Sequence, residues 1–155
     1  MAKKNEVVEK DMGWLKIKKE LKTMKKKGVK VGVLGDAERD DNADMIAVAI
    51  HNEFGTKNIP ARPFIRGAYD AKRRELDKFK ERLMAQILLG RITTNRALDV
   101  LGAHHAGQVQ EYMTALSQPE NAESTIEAKT RAGRKGDNPL IDTGQLRRSI
   151  AWERE

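Results

Sequence analysis

Asp142-Thr143-Gly144, led in by Leu140-Ile141, has the residue order of a carboxylate-dyad protease triplet. Such a dyad needs a second carboxylate at the same spot, because two like charges that close share one proton. It also needs a lobe of β-structure built after the triplet, and only 11 residues follow Gly144. The next residues, Gln145-Leu146-Arg147-Arg148, lack the usual small side chain. Asp142 and Gln145 instead have the spacing of a capping box, an acid with a glutamine three residues on. Asp142 is therefore read as the cap of a short helix through Ser149, with Leu146 and Ile150 on one side.

Other chemical spacings fail in similar ways. His51-Asn52-Glu53 matches the H-x-E of zinc deaminases, whose metal also needs cysteine ligands, and the chain has no cysteine. Disulfides, thiolate catalysis and cysteine–zinc sites are excluded with them. His104 and His105 point about 100° apart on a helix, and there is no H-E-x-x-H. His105 is read as a stripe residue whose ring finds a hydrogen-bond partner. Gly133-Arg134-Lys135-Gly136 has the wrong order and spacing for a phosphate loop, and neither G-x-G-x-x-G nor G-x-S-x-G occurs. The reading is a non-enzyme, with no catalytic, metal or cofactor residues.

Composition narrows the class further. The chain has 155 residues, enough for one domain with a modest core. At 39% hydrophobic and 34% charged it is too apolar for wholesale disorder and too polar for a membrane protein. Its apolar runs, such as Ala47 to Ile50, fall far short of the roughly 20 residues of a spanning helix. No apolar segment follows the first residues, so no secretory signal is read there. A soluble chain made in the cytoplasm is expected. Net charge is +7 with a pI near 9.7, which admits nucleic acid, an anionic surface or an acidic protein face as partner. Lysines of the first helix, with Lys129, Arg131, Arg134 and Lys135, can meet phosphates without sequence preference. Aromatics are only 5%, and no motif that reads DNA or RNA is present, which argues against a dedicated nucleic-acid module.

The elements that position these residues follow from periodicity. Trp14, Ile17, Leu21 and Met24 lie on one face of a helix over 11–27, with lysines over much of the rest and Gly28 as its stop. Val29, Val31 and Val33 alternate as one face of a strand over 29–34. An acidic loop, 36–41, leads to a helix over 43–54 with Asn42 as its cap, Ile46, Ala49, Ile50 and Phe54 as its stripe, and Gly55 as its end. Ile59 and Arg62 precede prolines and are biased away from helix. A long helix over 64–89, ended by Gly90, carries Leu76, Phe79, Leu83 and Ile87. A second, capped by Thr93 or Thr94 and running to 117, carries Leu98, Leu101, His105, Val109, Tyr112 and Leu116. The short connection packs the two antiparallel. Gly102 and Gly107 weaken the second helix unless they admit a close neighbour. Residues 118–139 lack a sustained apolar pattern and read as a flexible loop, with a short strand at Thr125 to Ala128 and a mobile basic stretch over 129–138. Residues 150–153 alternate as a final strand. The expected fold is a single α+β domain: a small, mostly antiparallel sheet packed by the N-terminal helix and two long helices.

Two segments carry a family resemblance. The first holds Asn52-Glu53-Phe54-Gly55-Thr56 and Ile59-Pro60-Ala61-Arg62-Pro63-Phe64, ending at Arg66. The second is Asn138-Pro139-Leu140-Ile141-Asp142-Thr143-Gly144-Gln145-Leu146 with Ser149-Ile150. In this order they resemble the tail-completion and neck proteins of long-tailed bacteriophages, the group that includes minor tail protein Z-like proteins. The motif cores cover about a quarter of the chain, and the residues over 90–138 match no fixed pattern of the family. The resemblance implies a virion structural protein made in the host bacterial cytoplasm. It implies a ring of six copies at the head-proximal end of the tail, beside neck or connector and tail-terminator or tail-tube proteins, with no membrane partner. Phage virion-morphogenesis proteins end in a similar T-G-x-L-x-x-S-I, so a tail terminator or another morphogenesis role is the alternative. On the physical side, Gly55 can take the left-handed turn that ends its helix, and Pro60 and Pro63 stiffen an arm that can lie against a neighbour. Phe54 and Phe64 are interface anchors or core residues. Arg62 and Arg66 either pair with carboxylates across an interface or lie on the surface. The basic stretch is expected to order on assembly, against an acidic face of the next ring or tail tube.

Overall fold

Alternating valines in one segment and an alternating C-terminal segment pair as the only sheet among the described residues. β1 (Val29–Val33) runs antiparallel to β2 (Ile150–Arg154), with Val31 opposite Trp152 and Val33 opposite Ile150. A two-stranded ribbon is marginal by itself in water, so it depends on what covers it. The structure, a computed structural model, describes residues 13–34, 44–134 and 136–155. The helices are α1 (Trp14–Met24), α2 (Met45–Phe54), α3 (Phe64–Leu88), α4 (Thr94–Ala115), α5 (Glu123–Arg131) and α6 (Gln145–Arg148), and of these α4, α2 and α6 meet the ribbon. The fold is a small α+β one, as the periodicities imply.

α3 and α4 are antiparallel neighbours. Gly67 lies against Tyr112, Lys72 reaches Glu111 at 3.5 Å, and Phe79 stacks on His104 with ring centroids 4.1 Å apart. Gly90, at φ +69°, helps turn the chain between them. α4 also covers the ribbon, and Gly102 is what lets it approach. A Cβ there would sit 2.7 Å from a methyl of Val29 and 2.8 Å from the Trp152 ring. Gly107 has open space in the same test, so the close-neighbour role belongs to Gly102 alone. His105 fills its expected place, its Nδ1 3.2 Å from Gln108 Oε1. The core gathers Met45 and Ala49 of α2, Phe64 and Ala68 of α3, Ala106, Val109 and Met113 of α4, and Leu140, Leu146 and Ile150.

Several expectations need correction. α1 buries none of its residues fully. Trp14, expected in its apolar stripe, is 63% exposed, while Ile17, Leu21 and Met24 are half-buried at the rim of α3 and α4. α2 is rolled relative to its expected stripe: Met45, Ala49 and Glu53 face inward, and Ile46, Ile50 and Phe54 face out. Met45, Ala49 and Glu53 are spaced by four and share a face, and the carboxylate of Glu53 has work to do inside, described below. The segment read as a flexible loop contains α5, so Thr125 to Ala128 is helix and not strand. α5 has no apolar stripe because the one residue it buries is a lysine; Glu123 in its first turn and Lys129 and Arg131 in its last suit the helix dipole instead. The observed cap of α2 is Asp44, whose carboxylate accepts from Ile46 N at 2.8 Å. Asn42, the acidic loop 36–41 and Lys135 lie outside the described residues.

Candidate assembly surface

The first motif is a joint between α2 and α3. The first backbone N–H groups of any helix lack intrahelical acceptors, and Pro63, at the start of α3, has no side-chain oxygen to offer. Glu53, 4% exposed at the end of α2, supplies one from outside. Its carboxylate accepts from Ile65 N at 2.9 Å, Arg66 N at 3.1 Å and Arg66 Nε at 2.9 Å. Arg66 Nη2 also donates to the Glu53 carbonyl at 2.9 Å. The Arg66 guanidinium then lies over the exposed Phe54 ring, 4.7 Å from its centroid. Arg66 therefore pairs within its own chain.

The turn between the helices is equally specified. Gly55 has φ +78°, and a Cβ would fall 2.9 Å from Ala61 N. Thr56 Oγ1 accepts from Asn58 N and Ile59 N, and Thr56 N donates to Ile59 O at 2.8 Å. Arg62 N donates to Asn52 O at 2.6 Å. Pro60 is exposed, and Phe64 is fully buried. Phe64 is thus a core residue, whereas Phe54 is exposed.

Arg62 departs from expectation. It is 5% exposed, and donates from Nε to Pro119 O at 2.8 Å and from Nη2 to Glu120 O at 2.7 Å. Burial lowers its pKa from the ordinary arginine value. It braces the chain after α4 and is not available to a partner's carboxylate.

The second motif mirrors this. Asn138 Nδ2 lies within 3.2 Å of the carbonyls of Met113, Thr114 and Leu116, the free acceptors at the end of α4, and Asn138 Oδ1 accepts from Leu140 N. Lys129, expected in an assembly loop, is buried; its Nζ donates to Asn138 O at 2.8 Å and Ile141 O at 2.9 Å. Burial lowers its pKa, while the nearby Asp142 opposes that shift. Arg134 pairs with Asp142, and Arg131 is exposed. Asp142 is therefore no helix cap. Gly144, buried at φ +76°, stands just before α6 with no side-chain cap; Thr143 Oγ1 accepts from Gln145 N at 3.4 Å. Leu146 and Ile150 enter the core as expected, and Ser149 Oγ donates to Leu146 O. The two motifs meet: Met45, Val48 and Asn52 face residues 139–146 across a groove of about 180 Å³.

With the motif side chains turned largely inward, the outer face of α2 is left exposed. Ile46, Ile50 and Phe54, spaced by four along one helix row, are 38%, 50% and 63% exposed. Sequence reading put these three with Ala49 in the apolar stripe of α2, left Phe54 open between interface anchor and core residue, and missed both the Glu53 cap and the Asn138 clamp. An acid immediately before Phe-Gly, and an asparagine just before a proline, were the available signals. Among the described residues there is no group of three or more acidic, histidine or cysteine side chains able to hold a metal, and no helix long and apolar enough to cross a membrane. No protein-family model, curated protein or solved structure matches the chain.

Proposed function

We propose that this chain is a non-enzymatic structural subunit of the neck of a long-tailed bacteriophage virion. In this reading it completes the head-proximal end of the tail and helps join it to the DNA-filled head. Six copies form a ring that sits between neck or connector proteins and the tail terminator or tail tube. The observation that carries the reading is the outward apolar row Ile46, Ile50 and Phe54 on a helix locked in place by Glu53. Apolar surface that a monomer leaves in water favours association, and a helix fixed at its end loses little freedom when a second copy covers it. The two motif segments support the reading because their residues are spent on bracing that helix.

The test is electron microscopy of lysates from a phage or prophage lacking this gene. Full heads beside finished, unattached tails are expected, and a copy carrying Ile50→Asp should fail to restore joined particles. Tails of uncontrolled length would move the protein to tail termination. Normal infectious particles would overturn the reading.

A further inference from the structure

Seven lysines and one glutamate fall between Trp14 and Lys27, so this stretch carries +6 of the chain's net +7. α1 turns its half-buried residues, Ile17, Glu20, Leu21 and Met24, to the protein. At 100° per residue, Lys18, Lys19, Lys22, Lys25 and Lys26 fall within an arc of about 120° on the other side. The structure agrees, for these five line one open surface with Leu15 and Thr23. All five are exposed, and none has an ion pair among the described residues. Lys16 and Lys27, off this arc, are held by Gly90 O and Asn95 Oδ1.

We infer that this face of α1 binds the phosphate backbone of double-stranded DNA without reading its sequence. From Lys18 to Lys26 the helix advances about 12 Å, a length of duplex that presents about seven phosphate charges. The charge of the face is all lysine. Lysine meets phosphate as a compact point charge on a flexible stem, which neutralises a backbone without demanding a fixed geometry. A membrane surface fits less well. A helix lying in a bilayer interface buries a whole apolar face there, and α1 has already committed that face to α3 and α4, leaving apolar exposure only at Trp14 and Leu15. The inference does not require the ring. The face is present on each single chain.

The experiment is fluorescence anisotropy of the full chain with two unrelated duplexes, across salt concentrations. Equal binding to both is expected. If four to five phosphates are contacted, the logarithm of affinity should fall against the logarithm of salt with a slope of about −4. Lys22→Gln should flatten that slope by about 0.9, and Lys18→Glu with Lys22→Glu and Lys25→Glu should abolish binding. Lys80→Gln, which alters a lysine on α3 already paired with Asp77, should leave it unchanged. Circular dichroism of each variant checks that the helices persist. Binding that survives the triple reversal, that prefers one sequence, or that appears with phosphatidylserine vesicles or polyglutamate but not with duplex would overturn the assignment.

Discussion

Replacing Glu53 by alanine tests whether the buried carboxylate holds α2 to α3. Two of its three contacts satisfy backbone N–H groups at the start of α3, and the third is to Arg66. Losing a helix cap costs about 1 kcal/mol. Leaving a second N–H short of a partner in a part-buried place adds about 1 kcal/mol. The ion pair contributes less than about 1 kcal/mol, because the Arg66 side chain is 57% exposed. The total is about 2 to 3 kcal/mol. For a chain of this length each kcal/mol moves the melting midpoint by about 3 °C, so a fall of about 6 to 9 °C is expected. Arg66→Ala keeps the cap, and the buried Glu53 carboxylate it leaves still accepts from two backbone N–H groups, so its cost should stay near about 1 kcal/mol. Glu53→Gln keeps one acceptor oxygen but turns an amide N–H toward Arg66, and should fall between the two. Urea unfolding and thermal melts of the three variants provide the comparison. If Glu53→Ala is no more destabilising than Arg66→Ala, the capping argument is wrong and the ion pair is all that Glu53 contributes.

Two glycines of α4 should respond oppositely to alanine. Gly102→Ala forces a methyl to within 2.7 Å of Val29 and should lose about 1 to 2 kcal/mol net of the helix gain, whereas Gly107→Ala meets open space and should gain about 0.5 to 1 kcal/mol; matching signs in chemical unfolding would refute the contrast. The Thr94 side chain, then the Thr94 N–H at 2.7 Å, hold the Glu20 carboxyl below its ordinary 4.5. A carboxyl lowered by folding lends stability that is complete above the unfolded value and is lost as pH falls through the folded one. The difference in urea midpoint between the wild type and Glu20→Gln should therefore hold steady above the ordinary 4.5 and shrink as pH falls below it, and a difference that stays constant on that acid side would contradict the clamp.

How much the sequence revealed depended on what held each element. α3 and α4 were readable because apolar side chains at helical spacing pack against each other, and β1 and β2 because valines and Trp152 alternate. Gly102 and Gly107 both read as possible points of close approach, and Gly102 alone proves to be one. α2 was found but rolled wrongly, since hydropathy ranks Ile46, Ile50 and Phe54 above a glutamate that turns out to be needed inside. α5 was missed because periodicity looks for buried apolar residues, and its buried residue is Lys129, held by carbonyls nine and twelve residues on in the loop that follows. Asp142 was misassigned for a related reason: capping spacing is local, whereas the partner it takes, Arg134, comes from the far side of that loop.

The placement of the motif residues changes which of them can form an interface. Glu53, Arg62, Phe64, Leu146 and Ile150 are buried, so their side chains cannot be the ones a neighbouring subunit touches. Loss of assembly on changing Arg62 would report a loosened frame, because its guanidinium ties the turn before α3 to the carbonyls after α4. In the proposed ring, contact falls to what the frame presents. The outer row of α2 is apolar and α1 carries the lysines, and the two faces belong to separate helices. Aspartate at Ile50 and glutamate on α1 therefore perturb different surfaces while leaving the hydrogen-bonded joints untouched. That independence makes the two readings separable: a neck subunit that touches DNA needs both faces, a purely structural ring needs only α2, and a free DNA-binding chain needs only α1.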